Sequence, residues 1–333
     1  MTKGVQRFPS ELDAALAALG AELEKGHAPS KLILRVRGGL SSLPPQAISW
    51  CDSRIAYSAS LFSSASNRRI AFDTLRDAPE IAPIFIFHRD GFVRQAALET
   101  LNDPPDSPFM LAALAWRLND WAEPVRAAAA MCASRVFPRI APAVAVSASY
   151  FLLDRWRNWG RWEAIGVSLV DQIFDRPEVM AALIQRFFCV SIGPLGTEFK
   201  YAARGPKIDA YLLGLAKKAK NPVVRAISIR MIAEGYAFWP VGFQREWIDK
   251  RFGISKRVVE YARRPLTLTY EVDALIAESI RDRSALVRRA AADALINRRK
   301  NFPRIEEAIA LLARDRSGAI RERADFLARH LNK

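Results

Sequence analysis

The sequence has few of the residues that support metal, redox or nucleophilic chemistry. Its 333 residues include three cysteines and three histidines, all far apart. It also lacks a Gly-rich phosphate loop ending in Lys-Ser or Lys-Thr and a Gly-x-Ser-x-Gly elbow. An odd number of separated cysteines argues against a zinc knuckle and a disulfide framework, and fits a reducing cytoplasm. We therefore expect no catalytic residue, no metal and no cofactor. The six residues are Cys51, Cys132, Cys189, His27, His88 and His330.

Long apolar runs are also missing. The longest, Ile140–Leu153, has 14 residues and is interrupted by Pro142, whereas a helix needs roughly 20 to cross a bilayer. The N-terminus leads into an amphipathic stretch, Leu12–Leu23, without the apolar core of an export signal. The sequence thus predicts a soluble cytoplasmic protein with no membrane span and no small-molecule substrate.

Acidic residues are scarce in one part of the chain. Lysine and arginine number 50 against 35 acidic residues, a net charge of +15. Residues 1–199 contain 21 basic and 20 acidic residues, whereas residues 200–333 contain 29 and 15. Such an excess in one part of a chain predicts an anionic partner, either nucleic acid or an acidic protein surface. The alternative is that the charge serves only solubility.

A short pattern that recurs along the chain indicates internal repeats. Each copy has a polar turn with Asp or Asn, then a Val-Arg or Ile-Arg pair that opens a helix. Successive arginines are 31 to 33 residues apart, and one gap of 99 residues has room for two degenerate copies, near Arg161 and in residues 185–192. An earlier copy is expected at Arg69. The clear copies carry Arg94, Arg126, Arg225, Arg288 and Arg321, and Ser255–Glu260 with Arg257 is a weaker sixth.

The pattern predicts two antiparallel helices in each copy. The Asp or Asn would accept hydrogen bonds from free N–H groups at the start of the second helix. Pro124 and Pro222 fall in the first turn of that helix, where a missing N–H costs nothing. One hairpin cannot bury both of its faces, so stability must come from neighbours packed in series. We therefore predict an all-α fold, a right-handed α-solenoid of about eight helical hairpins.

The motif Asp-x-x-x-x-Val-Arg-x-x-Ala-Ala resembles the HEAT-like repeat family in its short bacterial, armadillo-type form, over most of Phe62–Leu331. In that family the Asp and Arg of adjacent repeats usually bond to each other, which implies an architectural role for them here. The family's repeats serve mainly as binding surfaces, so the resemblance implies a non-catalytic adaptor. The residues concerned are Asp90, Arg94, Asp120, Arg126, Arg225, Asp282, Arg288, Asp315 and Arg321.

Two regions depart from the repeat pattern and divide the chain. Residues 1–61 are expected to form a capping helix, Ser10–Lys25, and an irregular extension in which Lys31–Gly39 alternates like a strand. Residues 191–206 are rich in Gly and Pro and predict a long loop. Near-neutral repeats would then occupy residues 62–190, and strongly basic repeats residues 207–333.

Tryptophans alternate with arginines in Asp154–Trp162. Planar groups of this kind stack on nucleobases or form the centre of a protein interface. The alternative is that the rings pack between repeats with arginines lying over them. The candidate binding residues of this cluster are Arg155, Trp156, Arg157 and Trp159.

Two basic clusters lie in the C-terminal part of the chain. If their positions recur once per repeat, they form a stripe along one edge that matches a phosphate backbone. Basic residues at a helix end also complement the helix dipole, which is the simpler explanation for them. The candidate binding residues are Lys217, Lys218, Lys220, Arg298, Arg299 and Lys300.

The resulting hypothesis is a non-catalytic adaptor whose basic repeats bind nucleic acid. The first alternative is a scaffold that binds an acidic peptide or protein. The second is an enzyme, because one group of HEAT-like proteins excises alkylated DNA bases with an aromatic cleft and an Asp. Its parts here would be Trp156, Trp159 and Asp171, although that group's excision motif is not recognisable. Trp116 and Asp120 have a suitable spacing but place the Asp in a repeat turn.

Overall fold

The computed structural model describes residues 8–62, 64–155, 159–161 and 163–331. Most of this part of the chain is helical, with eighteen α-helices and one two-stranded antiparallel sheet among the described residues. The chain divides into two compact units, Met1–Val179 and Met180–Lys333. The prediction of a helical protein is therefore confirmed for most of the chain, and the small sheet is the exception.

Helical hairpins make up the first unit. The second helices of its hairpins, α4, α6, α8 and α10, pack against one another in chain order, and α5 and α7 pack against the helices that follow them. The helices are α1 (Ser10–Leu23), α2 (Ser30–Ser41), α3 (Ile48–Ser58), α4 (Ala65–Asp77), α5 (Ala82–Phe85), α6 (Gly91–Thr100), α7 (Pro108–Arg117), α8 (Glu123–Val136), α9 (Pro142–Arg155) and α10 (Glu163–Asp175).

The second unit repeats this arrangement and adds a β-hairpin. Its helices α12, α14, α16 and α18 pack in chain order, and α13, α15 and α17 each pack against the next helix. Helix α11 (Pro177–Cys189) begins before the boundary. The other elements are α12 (Leu195–Ala202), α13 (Leu212–Lys218), α14 (Pro222–Glu234), β1 (Tyr236–Asp249), β2 (Ile254–Pro265), α15 (Val272–Ser279), α16 (Ala285–Arg298), α17 (Ile305–Ala313) and α18 (Gly318–His330).

Polar side chains in the turns cap the second helices. The Asp90 carboxylate accepts a hydrogen bond from the Phe92 N–H at 2.9 Å, and the Asn221 amide oxygen accepts one from the Val223 N–H at 2.8 Å. Each bond satisfies an N–H that has no partner within its helix, which stabilises the helix by about 1 kcal/mol. Asp120, Asp282 and Asp315 also bond to the N–H two positions on, which in these turns belongs to the residue just before the helix.

Arginines at the start of these helices connect neighbouring hairpins. The Arg94 guanidinium donates two hydrogen bonds of 2.9 Å to the buried Asp120 carboxylate, and others to carbonyl groups of its own turn. Arg288 binds Asp315 in the same way, at 2.6 and 2.9 Å. We call these pairs the Asp–Arg ladder. It also contains Arg68–Asp90 and Arg225–Asp282, while Arg126 and Arg321 donate to carbonyl groups of their own turns.

The predicted sixth copy at Arg257 is wrong. Arg225 binds Asp282, 57 residues further along the chain, whereas the other ladder pairs are separated by 22 to 27 residues. The difference is taken up by β1 and β2, and Arg257 lies on β2. Because this insertion is about one repeat long, it preserves the spacing of the arginines. The early copy predicted at Arg69 is also displaced by one residue, since Arg68 makes the ladder bond.

The strand-like extension predicted at Lys31–Gly39 is helix α2 instead. Its fully buried residues are Ile33, Val36 and Leu40, whose spacing follows a helix rather than a strand. The helix continues through Gly39. A Cβ at this position would lie 2.8 Å from the Leu12 side chain, so a larger residue would not fit there. The glycine allows α1 to approach α2 closely.

The loop predicted for residues 191–206 is also wrong. Half of it forms α12, which buries Leu195 and Phe199 and is followed by a 3₁₀ turn at Pro206–Tyr211. Gly196 lies within this helix. A Cβ at this position would be 2.5 Å from the Val223 side chain, which leaves no room for a larger residue. It therefore marks a close contact between α12 and α14 and not a turn. The boundary between the two units lies earlier, within α11.

Candidate nucleic-acid interface

The β1–β2 hairpin, called the ribbon below, is anchored at its base and exposed beyond it. Ala237 and Phe238 are buried, and the Leu266 N–H donates to the Gly235 carbonyl at 3.0 Å where the chain returns to the helices. None of residues 241–260 is buried. Eight residues of β1, from Gly242 to Asp249, span about 27 Å. The ribbon is thus a long exposed surface on a fixed base.

A buried ion pair holds that base. Arg264 donates hydrogen bonds of 2.7 and 2.9 Å to the Asp209 carboxylate, and others to carbonyl groups of residues 203–205. Asp209 also accepts from the N–H and hydroxyl groups of Thr267. Burial alone raises the pKa of Asp209, but the hydrogen bonds from Arg264 and Thr267 outweigh it and hold the pKa below its usual value. The anchor is therefore a charged pair at neutral pH.

Aromatic and arginine side chains share one face of the ribbon. Paired residues point to the same side of a two-stranded sheet, and alternate residues along a strand point to the same side as each other. Phe243 is paired with Val259, Arg245 with Arg257 and Trp247 with Ser255. The Arg257 guanidinium lies 4.1 Å from the centre of the Phe243 ring. We call this surface the aromatic face, and it consists of Phe243, Arg245, Trp247, Ser255, Arg257, Val259, Tyr261 and Arg263.

The aromatic face carries positive charge without carboxylates. Among the described residues, Arg245, Arg257 and Arg263 have no carboxylate partner within ion-pair distance. Glu246 and Glu260 belong to the opposite face, where Glu246 pairs with Lys256 at 3.1 Å. Glu246 and Glu260 thus lie on the side opposite the three arginines, which remain available for an anion.

A groove between α14 and α16 continues the aromatic face at the foot of the ribbon. It has a volume of about 430 Å³ and is lined by Phe238, Lys200, Arg230 and Arg289 among others. The Arg230 guanidinium lies 4.5 Å from the Phe238 ring centre, and Phe238 lies edge-on to Tyr261. The groove therefore continues the aromatic face within the second unit, and its lining also includes Asp293 and Glu234, which pairs with Arg230.

The basic residues proposed from the sequence do not form one stripe. Lys217 to Lys220 precede the start of α14, whereas Arg298 to Lys300 lie at the end of α16. The ladder bond between Arg225 and Asp282 places the starts of these two helices side by side, so the two clusters lie about 20 Å apart at opposite edges. The prediction of a single stripe through these residues is wrong.

Several of those residues are also engaged within the protein. Lys217 pairs with Glu278 and Arg298 with Asp273, each at 2.5 Å. Arg299 is half-buried and donates to the Ile296 carbonyl. Lys218, Lys220 and Lys300 are exposed. These clusters therefore offer only part of their positive charge, mainly Lys218, Lys220 and Lys300, to an anionic partner.

The tryptophan cluster is described only in part, since Trp156, Arg157 and the side chain of Arg155 lie outside the described residues. Trp159 is buried, with its ring edge-on to Trp116 at 5.2 Å and to Phe151 at 5.7 Å. For this residue the contacts are those of core packing. Trp159 therefore presents no open ring face to a base.

The carboxylates considered for base excision have other contacts. Asp120 accepts hydrogen bonds from Arg94, Arg117 and the Ala122 N–H. Burial opposes its ionisation, but these donors dominate and keep its pKa below the usual value. Asp171 is half-buried in α10 and has a partner of its own. Asp120 is thus a structural member of the ladder.

Sequence reasoning missed the ribbon, although a signal for it was present. Residues 236–265 contain aromatic and β-branched residues at a density typical of strands, and Gly253 sits in the turn between two such runs with a positive φ of 66°. The repeat spacing drew attention to Arg257 as a helix residue. The period-two pattern around it is the observation that decides its structure.

The comparisons with known proteins add nothing to this description. The chain matches no family model, no curated protein and no solved structure. Within the part of the chain that the structure describes, no helix is long and apolar enough to cross a membrane. The same residues hold no group of three or more side chains arranged to bind a metal ion.

Proposed function

We propose that this protein is a non-catalytic adaptor of the HEAT-repeat type that binds nucleic acid through its basic second unit. The observation that carries the proposal is the ribbon, an exposed element with arginines that have no carboxylate partner among the described residues. The second unit has 30 basic and 16 acidic residues, a net charge of +14, whereas the first unit has a net charge of +1. Phosphate groups are the most abundant ligand for such a surface.

The ladder supports the repeat assignment and the solenoid arrangement. Asp and Arg of consecutive hairpins are bonded at 2.6 to 2.9 Å, and second helices pack in chain order within each unit. Series packing of this kind is how α-solenoids bury their hydrophobic faces. The resemblance in sequence and this bonding pattern both favour the same family.

Fluorescence anisotropy with a labelled 30-base-pair duplex and the matching single strand, over a salt series, tests the proposal. The variant is Arg245→Glu/Arg257→Glu, which reverses two charges on the exposed ribbon. Each lost phosphate contact lowers the salt slope by about 0.9, so we expect a slope reduced by about 2 and an affinity at least tenfold lower. Arg298 is unsuitable for this purpose, because its reversal would break the ion pair with Asp273.

The matched control is Lys31→Glu/Arg35→Glu, the same charge change at two exposed positions of α2 in the first unit. We expect this variant to bind within twofold of the natural protein. Equal losses of affinity in the two variants would show a general charge effect and exclude the ribbon as the specific binding site. Absence of binding by the natural protein at low salt would refute the proposal.

An exposed aromatic patch in the first unit favours a second candidate, a scaffold that binds an acidic peptide. Trp121 and Phe92 are 72% and 61% exposed and flank a depression of about 320 Å³. The Arg68 guanidinium lies 4.6 Å from the Phe92 ring centre. Titration with a peptide of alternating Glu and Leu, followed by tryptophan emission in the natural protein and in Trp121→Ala, tests this candidate. Binding that Trp121→Ala abolishes would favour the scaffold, and no saturable change would exclude it.

A further inference from the structure

We infer that the aromatic face of the ribbon binds single-stranded nucleic acid by stacking unpaired bases on Phe243, Trp247 and Tyr261. This inference rests on the proposed function and names the kind of nucleic acid. The three rings are 51%, 43% and 42% exposed, on an element whose exposed part serves no visible packing role. Large apolar rings that are exposed together on one face mark an interaction site.

The chemistry of the face selects bases rather than another apolar partner. Rings and guanidinium groups alternate, with Arg257 over Phe243 at 4.1 Å, Arg245 over Trp247 at 5.4 Å and no carboxylate on the same side. Flat π systems bind the flat faces of bases, while the arginines bind the phosphates between them. A hydrophobic protein partner would gain nothing from three unneutralised arginines, which it would have to desolvate.

The rings also select unpaired strands over duplex. In a duplex each base face is covered by its neighbours in the stack, so an exposed aromatic ring finds no π face without unstacking the helix, at a cost of a few kcal/mol. Only single strands, loops and ends present free base faces. The arginines alone would bind duplex phosphates, and the rings add a preference that depends on bases.

The groove at the foot of the ribbon extends the same surface. Tyr261 lies 5.4 Å from the Lys200 amine and edge-on to Phe238, which borders the groove. A strand that stacks on Trp247 and Phe243 therefore continues past Tyr261 toward Lys200 and Arg289. Lysine and arginine in that position track the backbone of the strand.

The test compares three probes of equal length, a 15-nucleotide thymidine strand, a 15-nucleotide uridine strand and a 15-nucleotide abasic strand, with the full-length protein. The abasic strand keeps every phosphate but offers no base. The variant is Phe243→Ile/Trp247→Ile/Tyr261→Ile, which keeps strand-forming side chains and all arginines. The matched control is Phe92→Ile/Trp121→Ile, which removes exposed rings from the first unit.

Stacking contributes enough per base that we expect the natural protein to bind a base-bearing strand at least tenfold more tightly than the abasic strand. The ribbon variant should lose that preference and bind both equally, while the control keeps it. Emission from Trp247, taken as the difference between the natural protein and Trp247→Ile, should be quenched by the base-bearing strands only. The thymidine and uridine strands report whether the natural partner chemistry is DNA, RNA or both.

The outcomes separate this inference from the proposal on which it rests. Equal binding of abasic and base-bearing strands would overturn stacking and leave a protein that binds phosphates. Base-bearing strands that the ribbon variant binds as tightly as the natural protein does would overturn it in the same way. Absence of binding to all probes would refute the proposed function itself.

Discussion

The Arg225–Asp282 pair gives the sharpest test of the fold, because it spans the inserted ribbon. The Arg225 side chain is 4% exposed and donates two hydrogen bonds of 2.9 Å to Asp282, plus others to carbonyl groups of its own turn. We propose to replace Asp282 by Asn, which keeps an oxygen to cap the Ser284 N–H but removes the charge. Leaving a buried guanidinium without its counter-charge costs about 3 kcal/mol.

A double-mutant cycle turns this cost into a test of which arginine is the partner. Arg225→Met should also destabilise by about 3 kcal/mol, and the double variant should lose at least about 1.5 kcal/mol less than the sum, because the second change removes the charge that the first left unpaired. Arg257 lies on the exposed ribbon, so Arg257→Met should cost under about 0.5 kcal/mol and add independently to Asp282→Asn.

The assay is urea unfolding followed by far-ultraviolet circular dichroism for the natural protein, the three single variants and the two double variants. The two cycles share Asp282→Asn, so each serves as the control for the other. Coupling between Arg257 and Asp282, or additivity between Arg225 and Asp282, would contradict the assignment of Asp282 as the partner of Arg225. The reasoning that places the insertion would then be refuted.

Three further predictions concern stability. Gly20→Ala should destabilise the protein by about 1–3 kcal/mol in urea unfolding, because the new Cβ would lie 2.7 Å from a backbone oxygen at the end of α3. Gly38→Ala, at an open position of α2, should stabilise it by about 0.5–1 kcal/mol. Changes of the same sign in both variants would contradict this prediction. Burial lowers the pKa of His88 to about 4, so the unfolded chain binds a proton at this residue at a higher pH than the folded chain does. The free energy of unfolding should therefore fall by about 3 kcal/mol from pH 7 to pH 4. His88→Asn should remove that part of the fall, and an unchanged pH profile in this variant would contradict the buried neutral ring. Because the pKa of Asp209 is lowered, its stabilising pair with Arg264 is fully formed above the ordinary carboxyl pKa and is lost as pH falls through the lower folded value. Asp209→Asn should cost about 3 kcal/mol at pH 7 and flatten the dependence of stability on pH below pH 4. An equal cost at pH 2 would contradict the assignment.

The turns that carry the ladder residues were predictable from sequence because their information is local. The Asp and Arg of one turn are a few residues apart, and both the cap and the bonds to the turn's own carbonyl groups are made within that span. The helical character of α6, α8, α16 and α18 follows directly. The partner of Arg225 was not predictable, because nothing local to Arg225 distinguishes Asp282 from a nearer carboxylate.

The candidate site was predicted poorly for the same physical reason. Whether Lys217 or Arg298 is free depends on Glu278 and Asp273, which lie far from them in sequence and meet them only in the folded chain. Glycines were misleading for a related reason, since Gly39 and Gly196 serve close packing of helices and resemble loop residues when read alone. The sequence does contain the strand-like composition of the ribbon. The spacing of Arg257 from Arg225 and Arg288 matches the helical repeat, so the repeat pattern alone predicts a helix there.

The two-stranded sheet of the ribbon has a further consequence, because neither of its strands has a neighbour on its outer side. Each strand offers unpaired backbone groups with which a second copy of the chain could form a continuous sheet, the first step of aggregation. Irregular register between Pro240 and Gly242 and between Trp247 and Asp249, together with a proline in β1, interrupts the template that β1 offers. Repulsion between like charges also opposes pairing of two ribbons, because each ribbon carries seven lysines and arginines and three carboxylates. A variant that neutralises those charges should therefore associate with itself before it loses its fold.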